Sequence, residues 1–220
     1  MTTLLPLVDN DDGEALARLG RARRFQRGGW LMCQGDDNDD VVLVVRGRVK
    51  ISTVTPEGAD VVCAVHGPGS VIGHFEAIDD DGQGRTASVI ALDTVDCRFI
   101  DGAEFRAFLL NHPKVGMALL RAVIRDLRAA DRRRTDVASG DVTRHLARFL
   151  LEQVELRRQV GETNGDLGFG LSQAELAGVV SSSRAAVVRG LSALRKRGAV
   201  ETSPRRIVVT DIVALRTAAR

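Results

Sequence analysis

Arg184 and Arg189 stand five residues apart in the run Ser183-Arg184-Ala185-Ala186-Val187-Val188-Arg189, Arg195-Lys196 follow, and Arg205-Arg206 lie a little further on. A guanidinium is a planar fork of donors that fits guanine O6 and N7, or two phosphate oxygens, so this spacing suits reading and gripping nucleic acid. Ser182 and Ser183 add hydroxyls next to what reads as a helix start, where free backbone amides suit a phosphate oxygen. Other chemistry finds little support. The four histidines, His66, His74, His112 and His145, form no His-x-His pair and have no carboxylate at ligand spacing, and neither Gly-x-x-x-x-Gly-Lys nor Gly-x-Ser-x-Gly occurs. No catalytic residue and no metal site is therefore assigned, and the chain is not expected to be an enzyme. Cys33, Cys63 and Cys97 lack paired spacing and read as reduced thiols.

The elements that must position the arginines are legible around them. Leu171-Ser172-Gln173-Ala174-Glu175-Leu176-Ala177 begins with a capping box, Ser172 with Glu175, ahead of the apolar Leu176, Val179 and Val180. Ser181-Ser182-Ser183 interrupts this helix, and a second runs from Arg184 with Val187, Leu191 and Leu194 on its buried stripe. Helix, tight polar turn and helix make a helix-turn-helix, and Arg184, Arg189, Arg195 and Lys196 project away from the stripe. Gly198 ends the second helix, and two short strands around Ser203-Pro204-Arg205-Arg206 are expected to form a wing with the arginine pair at its tip.

Upstream, residues 25–100 alternate β-rich runs with glycine turns, the pattern of an all-β barrel or sandwich, preceded by an amphipathic helix expected over 13–24. Asp101 caps a helix, and Pro113 opens a long one that reaches about residue 137. Two apolar lines follow that helix: Leu120, Val123, Leu127 and Ala130, and Val115, Leu119 and Ala122. One face packs on the chain's own barrel, and Leu120, Val123 and Leu127 are expected to form the seam of a parallel homodimer. Ala138-Ser139-Gly140 breaks the helix and is taken as a hinge, Asp141 caps another, and 161–170 is a polar loop. The expected domains are thus 1–113, 114–138 and 139–220.

Charge separates along the same lines. Residues 1–110 carry 11 Lys/Arg against 18 Asp/Glu, 111–134 carry 7 against 2, and 135–220 carry 13 against 9. Within 171–210 the count is 7 against 2, so a phosphate-facing surface is attached to a half that would itself repel nucleic acid. The longest apolar run, residues 41–45, cannot span a bilayer, and Met1-Thr2-Thr3-Leu4-Leu5-Pro6 carries no basic segment, so a cytoplasmic location without membrane association is expected.

The chain resembles the cyclic AMP receptor protein and FNR superfamily of bacterial transcription regulators. The matching stretches are Gln34-Gly35-Asp36, Val45-Arg46-Gly47-Arg48-Val49, Gly69-Ser70-Val71-Ile72-Gly73, Arg85-Thr86-Ala87, Asn111-His112-Pro113, Gly140-Asp141-Val142-Thr143-Arg144 and residues 171–194. The resemblance implies an α+β fold: an N-terminal β jelly-roll of cyclic-nucleotide-binding type, a long dimerisation helix and a C-terminal winged helix-turn-helix. It further implies a homodimer on palindromic double-stranded DNA, with RNA polymerase as a partner.

The family's recognition helix opens Ser-Arg-Glu-Thr-Val-x-Arg. Here both arginines stand, while Ala185 replaces an acid that would accept from cytosine N4, so a different base pair is expected there, with a thymine methyl the one partner left to Ala185. The effector positions implied are Gly73, His74, Arg85, Thr86, Ala130 and Asp131. His74 stands where the family has a ribose-binding glutamate, Ala130 and Asp131 stand where cyclic AMP receptors place Thr-Ser against adenine, and Asp79-Asp80-Asp81 brings negative charge to a phosphate-binding loop. Cyclic AMP is expected to bind poorly or not at all. Arg85 is left as either a phosphate ligand or a partner for the acidic loop, and the cofactor as unknown: another nucleotide or small molecule, or none. A haem- or metal-sensing regulator using His74, His66 and Cys63 is the alternative of the same fold.

Overall fold

β-branched residues fill the runs between glycine turns, and in the computed structural model they form eight antiparallel strands. Residues 3–79, 84–139, 141–158, 171–203 and 205–220 are described, with 132–139 described by backbone alone. The strands are β1 (Arg21–Phe25), β2 (Trp30–Met32), β3 (Val41–Arg46), β4 (Val49–Val54), β5 (Asp60–His66), β6 (Val71–Ile72), β7 (Ser88–Ala91) and β8 (Val95–Ile100). They build two four-stranded sheets, β1-β8-β3-β6 and β2-β7-β4-β5. Val42, Val44, Val49, Val89 and Cys97 fill a buried cluster from strands of both sheets. Burial on both faces explains the unbroken apolar run of β3, whose first four residues are all buried.

The N-terminal helix is shorter than its sequence suggests. α1 spans Asn10–Arg18, with the Asp9 carboxylate accepting from the Asp12 amide at 3.0 Å, and Leu16 is buried. Residues 21–24, expected as the end of that helix, instead belong with Phe25 to the edge strand β1, paired with β8 from Arg21↔Phe99 to Phe25↔Val95. Four of its five residues are exposed, so no apolar alternation marks it. The backbone ladder and the Arg24–Asp96 ion pair hold it in place.

After β6 comes the short α2 (His74–Ile78), and after β8 come α3 (Gly102–Asn111) and the long α4 (Pro113–Ser139). The Asp101 carboxylate caps α3, accepting from the Ala103 and Glu104 amides. The chain divides into two compact units, Met1–Arg128 and Ala129–Arg220. The boundary between the two units falls within α4, which stays helical through Ala138 and Ser139, while Gly140 lies outside the described residues. In the first unit Val115, Ala118 and Leu119 pack with Leu16, Ile100 and Phe105, and Val123 lies partly buried against the same cluster. Met117, Leu120, Ile124 and Leu127 are exposed. The free stripe thus keeps Leu120 and Leu127 but has Met117 and Ile124 where the sequence suggested Val123, and the line Val115, Leu119 and Ala122 is the buried one.

The second unit holds α5 (Val142–Arg158), α6 (Gln173–Val179), α7 (Arg184–Lys196), the hairpin β9 (Val200–Ser203) and β10 (Arg206–Val209), and α8 (Ile212–Ala218). Asp141 accepts from the Arg144 amide at 3.0 Å, as its capping role requires. The polar loop at 161–170 lies outside the described residues.

Candidate functional site

Ser172 and Glu175 form the full capping box: the Glu175 amide donates to Ser172 Oγ at 3.2 Å and the Ser172 amide to Glu175 Oε2 at 2.7 Å. α6 ends at a turn in which Ser181 takes φ 51° and the Ser182 amide donates to the Ala177 carbonyl at 2.8 Å. Ser183 then caps α7, its Oγ accepting from the Ala186 amide at 3.2 Å. Val187, Gly190, Leu191 and Leu194 are the buried side of α7. A Cβ on Gly190 would come within 2.7 Å of Leu146 Cδ1, so the glycine sets how closely α7 rests on α5.

That seating turns Ser183, Arg184, Ala185, Arg189, Arg195 and Lys196 outward, with Ser182 half-buried in the turn. Among the described residues no carboxylate pairs with Arg184 or Arg189. Val188 is 43% exposed between them, an apolar side chain on the same face that the sequence reading passed over. Its exposure beside two arginines suits contact with a thymine methyl, and only the seating of α7 separates it from the buried Val187. The hairpin pairs Arg206 with Ser203, Arg205 sits at its tip with φ 55°, both arginines are exposed, and Pro204 lies outside the described residues. Arg195 Nη1 donates to Thr202 Oγ1 at 3.5 Å, joining the end of α7 to the wing.

In the first unit Gly73, Arg85 and Thr86 come together, but around a group the sequence reading did not assign. The Arg85 backbone is fixed by paired hydrogen bonds to the loop at Gly35 and Asp36, at 2.8 and 2.9 Å. Its guanidinium is buried: Nε and Nη2 donate to Asn38 Oδ1 at 3.1 and 2.6 Å, Nη2 also donates to the Asp40 carbonyl, and Nη1 donates to Glu76 Oε2 at 3.2 Å. The Thr86 amide and hydroxyl donate to Glu76 Oε1 at 3.3 and 3.2 Å. Gly73 has φ 82°, and a Cβ there would lie 2.6 Å from both Arg85 Nη1 and the Asp40 carbonyl oxygen, so its missing side chain is the space through which the guanidinium passes. Burial raises the Glu76 pKa; hydrogen bonds from its own amide and that of Thr86, the Arg85 charge and the Thr86 hydroxyl outweigh it and hold the carboxyl below its ordinary value.

Of the two alternatives for Arg85, the acidic partner seen is Glu76; Asp80 and Asp81 lie outside the described residues. His74 is buried with no hydrogen-bond partner for either ring nitrogen, and burial drives its pKa down to about 4. His66, its Nδ1 buried and unpaired, falls to about 3, chiefly through burial, and Cys63 is exposed. Among the described residues no three His, Cys, Asp or Glu side chains gather as a metal would require, and no helix is long and apolar enough to cross a membrane. Ala130 is half-buried and Asp131 exposed on α4, both within the second unit, whereas Gly73, His74, Arg85 and Thr86 belong to the first.

Residues 22–112 match the Cyclic nucleotide-binding domain family and residues 144–218 the Crp-like helix-turn-helix domain family. The CRP-like cAMP-activated global transcriptional regulator of Mycobacterium tuberculosis is 27% identical over 199 residues, 89% of this chain and 87% of that protein. The Cyclic AMP receptor protein of Thermus thermophilus is 28% identical over 193 residues, 88% of this chain and 85% of that protein. The fold is shared with the c-di-GMP responsive global regulator CLP of Xanthomonas campestris, at a TM-score of 0.72 and 19% identity over 92% of this chain and all of that one. The two family matches, together with similarity to these regulators over nearly nine-tenths of the chain, make it a member of the cyclic AMP receptor protein and FNR superfamily of DNA-binding transcription regulators.

Proposed function

We propose that the protein acts as a homodimer on a palindromic DNA site, reading each half-site with α7 and gripping flanking phosphates with the wing, and that cyclic AMP does not switch it. The observation that carries this reading is the exposed face of α7, where Arg184, Ala185, Val188 and Arg189 stand together above a capped helix start. Arg184 and Arg189 would take guanines, and Ala185 and Val188 thymine methyls. The residues fall into an effector-type domain (1–113), a dimerisation helix (114–138) and a DNA-binding domain (139–220), and no reaction is catalysed. The protein works in the cytoplasm, and its output passes through RNA polymerase. The relatives from Mycobacterium tuberculosis and Thermus thermophilus carry cyclic AMP in their names, and here the cassette that would take its phosphate already holds Glu76.

Selection of binding sites from random duplexes, with no nucleotide added, tests the reading. A palindrome should emerge. On it, Arg184→Ala should cost about 1–3 kcal/mol at one base pair per half-site while leaving random DNA little changed. Arg205→Gly, which suits the positive φ at the tip, should weaken all duplexes alike and reduce the salt slope by about one. Equal losses on random and selected DNA for Arg184→Ala would place the recognition face elsewhere.

A further inference from the structure

We propose that Glu76 is a resident substitute for a bound phosphate: its carboxylate occupies the anion cradle made by Arg85 and Thr86, closes it to phosphate-bearing ligands, and so fixes the effector cassette in a permanently filled form. The inference deepens the reading of a regulator that cyclic AMP does not switch, and it rests on that reading only for its biological meaning. The site itself is defined by atoms. Three donors of different kinds converge on one carboxylate: a buried guanidinium nitrogen at 3.2 Å, a backbone amide at 3.3 Å and a hydroxyl at 3.2 Å. A cation, an amide and a hydroxyl directed at two oxygens on one centre are what a phosphate group would ask for, and a carboxylate offers the same pair of oxygens.

Of the five guanidinium N–H donors, only those on Nη1 are left to face an anion. Nε and Nη2 are committed to Asn38 and to the Asp40 carbonyl, so Nη1 is the edge that faces an anion, and Glu76 is on it. A phosphate entering beside the carboxylate would meet like charge at contact distance in a poorly solvated place. It would have to expel Glu76, which is anchored by the turn of α2 that carries it and shielded to 15% side-chain exposure. Arg85, at 2% side-chain exposure, in turn cannot be left without a counter-charge. The arrangement therefore holds itself shut: the arginine needs an anion, and the chain supplies one nine residues before it.

Removing that carboxylate while keeping its shape should expose the need. In the full-length Glu76→Gln variant the buried guanidinium has lost its counter-charge, so the melting temperature should fall, and inorganic phosphate should restore it, while sodium chloride at matched ionic strength should not. Affinity for phosphate and for cyclic AMP, measured by calorimetry, should be roughly tenfold or more tighter in the variant than in the wild type, the fold-change expected of one freed charge-assisted hydrogen-bonding site. Glu76→Asp, which keeps the charge on a shorter stem, should bind phosphate no better than the wild type. Equal stabilisation of wild type and Glu76→Gln by phosphate, or none of either, overturns the proposal. So does micromolar binding of cyclic AMP to the wild type, a measurement that needs no variant to fold. DNA binding without a nucleotide is read separately in the selection experiment, so loss of the regulatory reading and loss of the Glu76 cradle give different results.

Discussion

A buried imidazole with neither ring nitrogen hydrogen-bonded is a base that the folded chain keeps neutral, and His74 is such a group. Burial takes its pKa from the ordinary 6.5 to about 4, and takes that of His66 to about 3. Between those limits the unfolded chain takes up protons that the folded chain refuses, so unfolding is favoured as the pH falls. The stabilising contribution is fully present above pH 6.5, declines through the window from 6.5 to 4 for His74, and continues down to about 3 for His66. Each histidine contributes a slope of at most about 1.4 kcal/mol per pH unit within its window. The melting temperature should therefore drop between pH 7 and pH 5, and His74→Leu, which offers similar bulk and no proton acceptor, should flatten that drop. An unchanged pH slope in the variant would mean that His74 is already charged or solvated in the folded chain. His74 also shows where sequence reading stops at this scale. The family resemblance implies a carboxylate immediately after Gly73, and His74 stands there. The carboxylate that pairs with Arg85 is Glu76, nine residues before it, and Asn38 meets the same guanidinium from 47 residues away in sequence. Spacing along the chain carries no trace of either meeting.

At the scale of elements, local chemistry was legible wherever the chain itself enforced it. The Ser172–Glu175 box, the Asp101 and Asp141 caps, the start of α4 at Pro113 and the β-branched strands β3 and β8 all stand where their residues imply. β1 was not legible, because an exposed edge strand of arginines has neither apolar alternation nor turn residues to mark it. α8 passed unread although Asp211 caps it through the Val213 and Ala214 amides and Leu215 is its buried anchor. α4 posed a different difficulty, since both of its apolar lines have helical spacing and only packing decides which one faces inward. Leu119 is 4% exposed and Leu127 62% exposed, and the two should separate cleanly on mutation. Leu119→Glu buries a charge in the first unit's core and should cost several kcal/mol, on the order of 3–5, in thermal unfolding. Leu127→Glu should leave the fold within about 1 kcal/mol of the wild type while preventing assembly, seen as a lower sedimentation coefficient. If Leu127→Glu sedimented like the wild type, the exposed stripe Met117, Leu120, Ile124, Leu127, whose 3-4-3 spacing is that of a two-stranded seam, would not be the dimer contact.

At the scale of the molecule, charge and symmetry act together. Residues 1–110 hold seven more acidic than basic side chains, whereas 171–210 hold five more basic than acidic, so the attraction to DNA is concentrated on the helix-turn-helix and wing. One such surface binding alone would rely mainly on phosphate contacts and would be weak and sensitive to salt. Joining two through the α4 stripe, as proposed, would make the second binding event intramolecular, with a gain that depends on whether both recognition helices reach their half-sites at once. Recognition helices in a two-fold dimer of this kind meet successive major grooves about 34 Å apart, one helical turn, on the same side of the duplex. Inserting about five base pairs between the half-sites turns one of them to the opposite side. The wild-type protein should then lose about a hundredfold in affinity, towards the level of a single half-site, because the gain from linkage disappears when geometry forbids simultaneous contact. Leu127→Glu should bind the normal and the lengthened site equally, since its two halves no longer communicate. Titrating the two proteins against both duplexes at one salt concentration distinguishes the cases. Equal affinity of the wild type for both spacings would show that each chain reads DNA by itself, and that the apolar stripe on α4 serves some other contact.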